Sequence, residues 1–145
     1  MDQYSHIMVA IDLSEDSRYV ADRAAALAKL SSARLSIIHV IEPINFAYGG
    51  DIPMDLTAIQ EQLDEHARAK LQEFSAPYGV SEENQFVIVG LPQREIHRVC
   101  EEEQVDLVVV GSHGRHGLSL LLGSTCNSVL HGAGCDVLAV RVKPT

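Results

Sequence analysis

The chain has 145 residues, of which 46% are hydrophobic and 21% charged, and this composition is typical of a globular protein with one core. Its 20 acidic and 11 basic side chains give a formal net charge of -9, which repels a phosphate backbone and argues against a nucleic-acid partner. No apolar stretch approaches the about 20 residues of a membrane span, and the polar start Met1–His6 is unlike a signal peptide. We therefore expect a cytoplasmic protein with no membrane partner.

The first part of the chain alternates strand-like and helix-like segments. His6–Ile11 is a short apolar run that predicts a strand buried on both faces. A predicted helix follows, with Ser14 as its N-cap and its end near Leu30. Leu35–Ile41 predicts a second strand, and a long, turn-rich connection over Glu42–Pro53 comes after it.

The same alternation continues to the end of the chain. The remaining predicted segments are the helix Asp55–Phe74, the strand Phe86–Val89, the helix Pro92–Glu103, the strand Val105–Val110, the glycine-rich loop Gly111–Gly117, the apolar helix Leu118–His131 and the strand Asp136–Val142. Five strands that alternate with helices predict an α/β fold, a parallel sheet with helices on both faces. We find no linker or repeat, so residues 1–145 are predicted to form a single domain.

The cysteines and loop histidines do not form a metal-binding pattern. The three cysteines lack CxxC spacing and are odd in number, which predicts buried thiols in a reducing compartment rather than disulfides or zinc ligands; they are Cys100, Cys126 and Cys135. His113 and His116 lie in the glycine-rich loop without a nearby acid or cysteine, so we interpret them as solvated side chains.

No pattern of catalytic residues appears. A Ser/His/Asp nucleophile motif is missing, and His39 alternates with apolar residues, as a hydrogen-bonded core or rim histidine does. Asp12 is the one carboxylate placed to act as a general base, which argues against efficient catalysis. The sequence therefore predicts no catalytic residues and a protein that is not an enzyme.

Two segments that follow predicted strands are candidates for ligand binding. Asp12 comes just after the first strand, and Gly111–Gly114 comes just after Val110, the last residue of the fourth strand. In open α/β sheets, ligands bind outside the carboxyl ends of the strands, at the point where the winding direction reverses. If the first and fourth strands are central neighbours, these two segments face each other across that crevice.

The glycines and hydroxyls of the second segment suit a phosphate group. Glycine lets the backbone approach a ligand closely, and successive N–H groups then form an anion-binding concavity. A helix that begins near Gly123-Ser124-Thr125 would add its N-terminal donors and two hydroxyls. The spacing alone leaves a second interpretation open, in which Gly111 and Gly114 form a tight turn and Ser124 caps a helix.

Three stretches resemble the universal stress protein family: VAIDLSEDS, LSIIHVIEP and VDLVVVGSHGRHGLSLLLGSTCNSVLHGAGCDVLAVR. The resemblance covers nearly the whole chain and is most specific in its last third. It implies an open, Rossmann-like, five-stranded parallel sheet in the order 3-2-1-4-5 and a homodimer. In the nucleotide-binding members it also implies ATP in the crevice between the first and fourth strands.

The resemblance also implies roles for individual residues. Asp12 would lie by the ribose and phosphates, and Val40 would contact adenine through its backbone. The predicted nucleotide site consists of Ala10, Asp12, Val40, Val110, Gly111, His113, Gly114, Gly123, Ser124 and Thr125. The predicted ligand is ATP or AMP, with Mg²⁺ only alongside the bound nucleotide and no other metal.

The spacing of the glycines departs from the pattern of the ATP-binding members. That pattern is G-x2-G-x9-G-[ST], whereas only eight residues, Arg115 to Leu122, separate Gly114 from Gly123. Ala10 also replaces a proline that is common in ATP binders. The glycines and hydroxyls are nevertheless kept. We therefore predict a nucleotide-binding stress-response module, and the alternatives are a dimeric interaction protein with an empty crevice or a slow ATP hydrolase.

The last predicted strand suggests where the homodimer forms. In the implied order, Asp136–Val142 is an edge strand with an apolar run that only Arg141 interrupts. An edge strand exposes unpaired N–H and C=O groups, and antiparallel pairing with a second copy would satisfy them. We therefore predict a homodimer through this strand.

Overall fold

Five strands and three α-helices form in the part of the chain that the computed structural model describes, residues 4–42, 56–113 and 134–141. The strands are β1 (His6–Ala10), β2 (Arg34–Ile41), β3 (Gln85–Val89), β4 (Leu107–His113) and β5 (Asp136–Arg141). The helices are α1 (Ser17–Ser31), α2 (Leu56–Ser75) and α3 (Pro92–Glu102). Two short 3-10 turns, Ala76–Tyr78 and Glu82–Asn84, join α2 to β3.

The strands form one parallel sheet in the order β3-β2-β1-β4-β5, which confirms the predicted order. β1 is the central strand, and its residue Ile7 pairs with Leu35 of β2 on one side and Leu107 of β4 on the other. All five residues of β1 are buried. This burial explains why β1 has a continuous apolar sequence rather than an alternating one.

The helices cover both faces of the sheet. α1 and α2 lead from β1 to β2 and from β2 to β3, whereas α3 leads back from β3 to β4. Because such crossovers are right-handed, the reversal of direction places α3 on the opposite face from α1 and α2. A hydrogen bond connects the two helices that share a face: the guanidinium of Arg18 in α1 donates to the carbonyl oxygen of Phe74 in α2 at 2.8 Å.

The turn between β1 and α1 differs from its prediction. The helix begins at Ser17 and not just after Ser14, because the Ser14 hydroxyl donates to Oδ1 of Asp12 at 2.6 Å instead of capping the helix. Leu13 between them has φ +67°, a left-handed conformation that costs a side chain about 1–2 kcal/mol. The contacts of Asp12 therefore stabilise a turn that the backbone alone disfavours.

β4 is longer at its carboxyl end than predicted. Gly111–His113 was expected to begin the glycine-rich loop, but it continues β4, with Gly111 paired to Val140 and His113 paired to Arg141 of β5. A shift of register between Gly111 and His113 accommodates the extra residue. The rest of the predicted loop, the predicted helix Leu118–His131, most of the connection after β2, and Val142 lie outside the described residues.

A polar cluster lies at the amino ends of the central strands. Nε2 of the buried His6 lies 2.6 Å from the hydroxyl of Ser36, and its Nδ1 lies 2.8 Å from a guanidinium nitrogen of Arg34. Arginine only donates, so Nδ1 accepts and Nε2 carries the proton. The carbonyl oxygen of Glu103, 3.0 Å from Nδ1, would require the other tautomer, and the shorter arginine contact favours the first. Burial is the largest influence on the pKa of His6 and lowers it. The Arg34 charge also lowers this pKa, whereas the Glu103 carbonyl oxygen and the Glu103 and Asp106 carboxylates oppose the shift.

None of the helices within the described ranges has a long enough apolar stretch to cross a lipid bilayer.

Candidate functional site

A crevice opens where β1 and β4 separate. These two strands are paired as far as Val9 and Val109. Beyond that point, the backbone N–H of Ile11 donates to the carbonyl oxygen of Ile38 in β2 at 3.0 Å. β4 instead continues alongside β5 through Gly111. The winding direction of the sheet reverses between these two strands, so this is the position at which open α/β sheets bind ligands.

A cavity of about 430 Å³ lies at the carboxyl ends of β1 and β2. It is lined by Ala10, Ile11, Asp12, Ile38, His39, Val40, Ile41, Glu42, Pro92 and Ile96. Its volume falls in the range of about 300–1,000 Å³ that is typical of small-molecule sites. The lining is mainly apolar with a few polar groups, which suits a flat aromatic ring that carries hydrogen-bonding edges.

The structure brings three of the predicted site residues together. Ala10, Asp12 and Val40 line the cavity. Val110 and Gly111 are buried in β4, the strand beside β1, and are not among the described residues that line the cavity. The described lining lies at the ends of β1 and β2, and the expected ligand position between β1 and β4 stays a prediction, because the segment after His113 lies outside the described residues.

The other predicted residues are described only in part or not at all. The backbone of His113 is the last of β4, and the remaining four residues lie outside the described ranges; they are Gly114, Gly123, Ser124 and Thr125.

The carboxylate of Asp12 belongs to the turn as well as to the cavity. Its Oδ1 accepts hydrogen bonds from the backbone N–H of Ser14 at 3.0 Å, the hydroxyl of Ser14 at 2.6 Å and the hydroxyl of Ser17 at 2.6 Å. The Ser17 hydroxyl also lies 3.1 Å from the Asp12 backbone nitrogen. Asp12 therefore has a structural role that the sequence analysis did not assign to it, and its contact with a ligand stays a prediction.

The backbone of Val40 faces the cavity side of β2. The carbonyl oxygen of Ile38 accepts from β1, whereas that of Ile41 accepts from Gly90 N–H, after β3, at 2.9 Å. Because successive peptide groups of a strand point to opposite sides, the N–H and C=O of Val40 point toward the β1 side. β1 ends at Ala10, so no described strand lies opposite them.

His39 is hydrogen-bonded within the fold, as its sequence context indicated. Its Nδ1 lies 3.0 Å from the carbonyl oxygen of Ile11, and because a carbonyl only accepts, Nδ1 carries the proton in the neutral ring. Its Nε2 is then an acceptor. The sequence analysis did not place His39 at the site, although its position next to Val40 near the end of the second strand was a usable signal.

Two further lining residues come from a distant part of the chain. Pro92 and Ile96 belong to the first turns of α3, and both are buried. Sequence reasoning missed them because the helix is positioned over β2 only by the return of the chain from β3 to β4. Among the described ranges, no group of three or more His, Cys, Asp or Glu side chains could hold a metal ion.

Comparisons with a family model and with known proteins point to the same family. The model of the universal stress protein family matches residues 3–141. Universal stress protein A homolog 1 of Coxiella burnetii (strain RSA 493 / Nine Mile phase I) is 43% identical over 141 residues, which cover 97% of this chain and 98% of that protein.

Solved structures agree with this match. The structure of the hypothetical protein MJ0577 is 25% identical, with a TM-score of 0.79 over 99% of this chain and 100% of that chain. A universal stress protein in complex with cAMP is 26% identical, with a TM-score of 0.64 over 98% of this chain and 100% of that chain. The sequence match over nearly the whole length, together with the shared fold, shows that the chain belongs to the universal stress protein family.

Proposed function

We propose that the chain is a binding module that takes ATP or a related adenine nucleotide, such as AMP, at the carboxyl ends of β1, β2 and β4. The observation that carries the proposal is the cavity beside Val40, where an apolar lining meets a backbone donor and acceptor. The cAMP complex of a similar protein supports an adenine nucleotide as the ligand class.

The base is the part of the ligand that the described residues suit best. One N–H and one C=O on the same residue match the adjacent acceptor and donor on the edge of adenine. Ala10 and Ile96, both buried, contribute apolar surface to the same cavity, and an aromatic ring gains from leaving water there. We therefore assign the base to the cavity and the Val40 backbone.

The phosphates are assigned to the other side of the crevice. Gly114, Gly123, Ser124 and Thr125 would supply backbone N–H groups and hydroxyls, and the net charge of -9 does not oppose such local donors. Asp12 lines the cavity just after the end of β1, so we expect its contact to be with the ribose or with Mg²⁺ that arrives on the nucleotide.

The Val40 backbone provides the test of the base position. Val40→Pro removes the N–H that faces the cavity but spares the β2 groups that face β3, and Val40→Ala keeps that N–H. We expect Val40→Pro to weaken ATP and AMP binding about tenfold, equivalent to about 1.4 kcal/mol, in calorimetric titration. Val40→Ala should differ little from the original protein. Equal affinities for the two variants, with unchanged circular dichroism, would contradict the assignment.

We infer binding rather than rapid turnover. Asp12 is the one carboxylate among the predicted site residues, and its Oδ1 already accepts three hydrogen bonds. An oxygen used in this way is a poor general base. Incubation with Mg²⁺ and ATP should therefore release phosphate no faster than the uncatalysed control, whereas steady release would favour a slow hydrolase.

We also propose a homodimer through β5. β5 pairs with β4 alone, so it is an edge strand in the described sheet. An interaction protein with an empty crevice would share this dimer, and the two functions are separated by nucleotide titration. Location in the cytoplasm stays a prediction.

A further inference from the structure

Two cysteines that are distant in sequence come together on the face of the sheet covered by α3. Cys100 lies in the last turns of α3, and Cys135 comes directly before β5. The carbonyl oxygen of Cys100 accepts from the N–H of Val105 at 2.9 Å, and the N–H of Asp136 donates to Asp106 at 3.2 Å. These hydrogen bonds fix the backbone near both cysteines to two consecutive residues, Val105 and Asp106, that directly precede β4.

The environments of the two thiols are unequal. Cys100 is buried, whereas Cys135 is half-buried. A hydrogen bond between the two thiols, together with burial, raises the pKa of Cys100. The same thiol–thiol bond and an N–H from Val108 lower the pKa of Cys135, against the opposing effects of burial and of the Asp136 and Asp106 carboxylates. Because Cys135 is the less buried of the two, it is the thiol that more readily becomes a thiolate and meets a dissolved oxidant.

A small molecule has a route to both thiols. Cys100 and Cys135 line the same cavity of about 420 Å³. The other lining residues are His97, Glu101, Val105, Val108 and Gly134. This cavity shares no lining residue with the nucleotide cavity.

We propose that Cys135 and Cys100 form a redox pair that a hydroperoxide converts into an intramolecular disulfide. The Cys135 thiolate attacks the peroxide, the O–O bond breaks, and Cys135 becomes a sulfenic acid while the leaving oxygen departs as an alcohol or water. The Cys100 thiol then attacks this sulfur and the S–O bond breaks, so that the hydroxyl of the sulfenic acid leaves as water with the proton of Cys100. In total two thiols are oxidised, and one peroxide is reduced.

This site is independent of the nucleotide proposal, because none of its groups touches the nucleotide cavity. Its assignment depends on the pairing of two cysteines and not on either one alone. A third cysteine, Cys126, lies outside the described residues and must be excluded as the partner by experiment.

The test uses the full-length protein and its Cys126→Ser variant, in which Cys100 and Cys135 are the two remaining cysteines. Each is treated with hydrogen peroxide, blocked with an alkylating reagent, digested without reduction and analysed by mass spectrometry. We expect one cross-linked peptide that joins Cys100 to Cys135, lighter than the two free peptides by two hydrogen atoms and lost on addition of dithiothreitol. In Cys100→Ser, Cys135 should stop at the sulfenic acid, which dimedone captures.

Two outcomes would overturn the proposal. One is the absence of the Cys100–Cys135 peptide from both proteins, with both thiols alkylated as in untreated samples. The other is a disulfide that includes Cys126 in the original protein and no disulfide in Cys126→Ser.

Discussion

The carboxylate of Asp12 joins the end of β1 to the start of α1. Its Oδ1 accepts hydrogen bonds from Ser14 and Ser17, and Leu13, between Asp12 and Ser14, has a left-handed backbone. A side chain that accepts from the residue two positions later is a common stabiliser of such turns. At this position, a structural role and a ligand-binding role would therefore be combined in one residue.

Removal of this carboxylate should weaken the fold even without ligand. We expect Asp12→Ala to lower the free energy of unfolding by about 1–3 kcal/mol, because two serine hydroxyls and one N–H lose their acceptor. Urea denaturation of Asp12→Ala, Ser17→Ala and the double variant would measure this loss. The double variant should lose less than the sum of the two single variants, since they remove a shared bond. Unchanged stability of Asp12→Ala would show that the turn does not depend on its carboxylate.

His6 gives the fold a dependence on pH. Because burial lowers its pKa in the folded protein below the unfolded value of about 6.5, the unfolded chain binds more protons as the pH falls through that value. The contribution of His6 to the free energy of unfolding is therefore complete above about pH 7. It decreases as the pH falls toward the lowered pKa that His6 has in the folded protein. The groups around the ring, Arg34, Glu103 and Asp106, all belong to this end of the sheet.

Unfolding measured at several pH values would test this role of His6. The free energy of unfolding should fall from about pH 7.5 to about pH 5.5, and His6→Gln should show a smaller fall. His66→Gln, which changes an exposed histidine of α2, is the matched control. Its free energy of unfolding should fall by as much as that of the original protein. An equal fall in all three proteins would assign the pH dependence to other groups.

β5 is one of the two edge strands of the described sheet, with β4 on its inner side. Its outer edge is free of other described strands, and the N–H of Asp136 points inward to Asp106 of the segment before β4. Since N–H groups alternate in direction along a strand, those of Leu138 and Val140 also point inward, and that of Ala139 points to the edge. An antiparallel copy of β5 would pair with the outward groups.

A proline on the outward side tests this interface without damage to the sheet. Ala139→Pro removes an edge donor and should shift a dimer toward the monomer in light scattering at micromolar concentration, where the original protein gives about twice the monomer mass. Val140→Pro is the comparison, because it removes a donor that points to β4 and should lower stability as well. A dimer of unchanged strength in Ala139→Pro would place the interface elsewhere, and a monomeric original protein would exclude it.

The strands could be predicted from sequence because their apolar runs are local. β1 and the first part of β4 are buried on both faces, and each was recognisable as a continuous apolar run. The extension of β4 through Gly111–His113 was not, because those residues are held in the sheet by β5, which is distant in sequence. The start of α1 was misplaced for a related reason, since Ser14 had two possible bonding partners and the sequence did not distinguish between them.

For the whole molecule, the order of the strands came from the family resemblance, and the structure confirms it. That order determines which strand ends meet, and it brings Ala10, Asp12 and Val40 to one cavity. The contribution of α3 was not predictable from local pattern, because Ile96 reaches the cavity through tertiary packing alone. The charge of -9 is the sum over the whole chain, whereas the proposed nucleotide binding would depend on backbone groups at one end of the sheet.

Above all, we propose that an adenine nucleotide binds at the carboxyl ends of the central strands. The most direct measurement is a two-dimensional amide NMR spectrum recorded during titration with ATP and with AMP. We predict that the amide signals of Ile11, Asp12 and Val40 shift in a saturable way, while those of Ser5 and His6 at the opposite end of the sheet stay in place. An unchanged spectrum at millimolar nucleotide, or shifts at Ser5 and His6 without shifts at Val40, would contradict the claim.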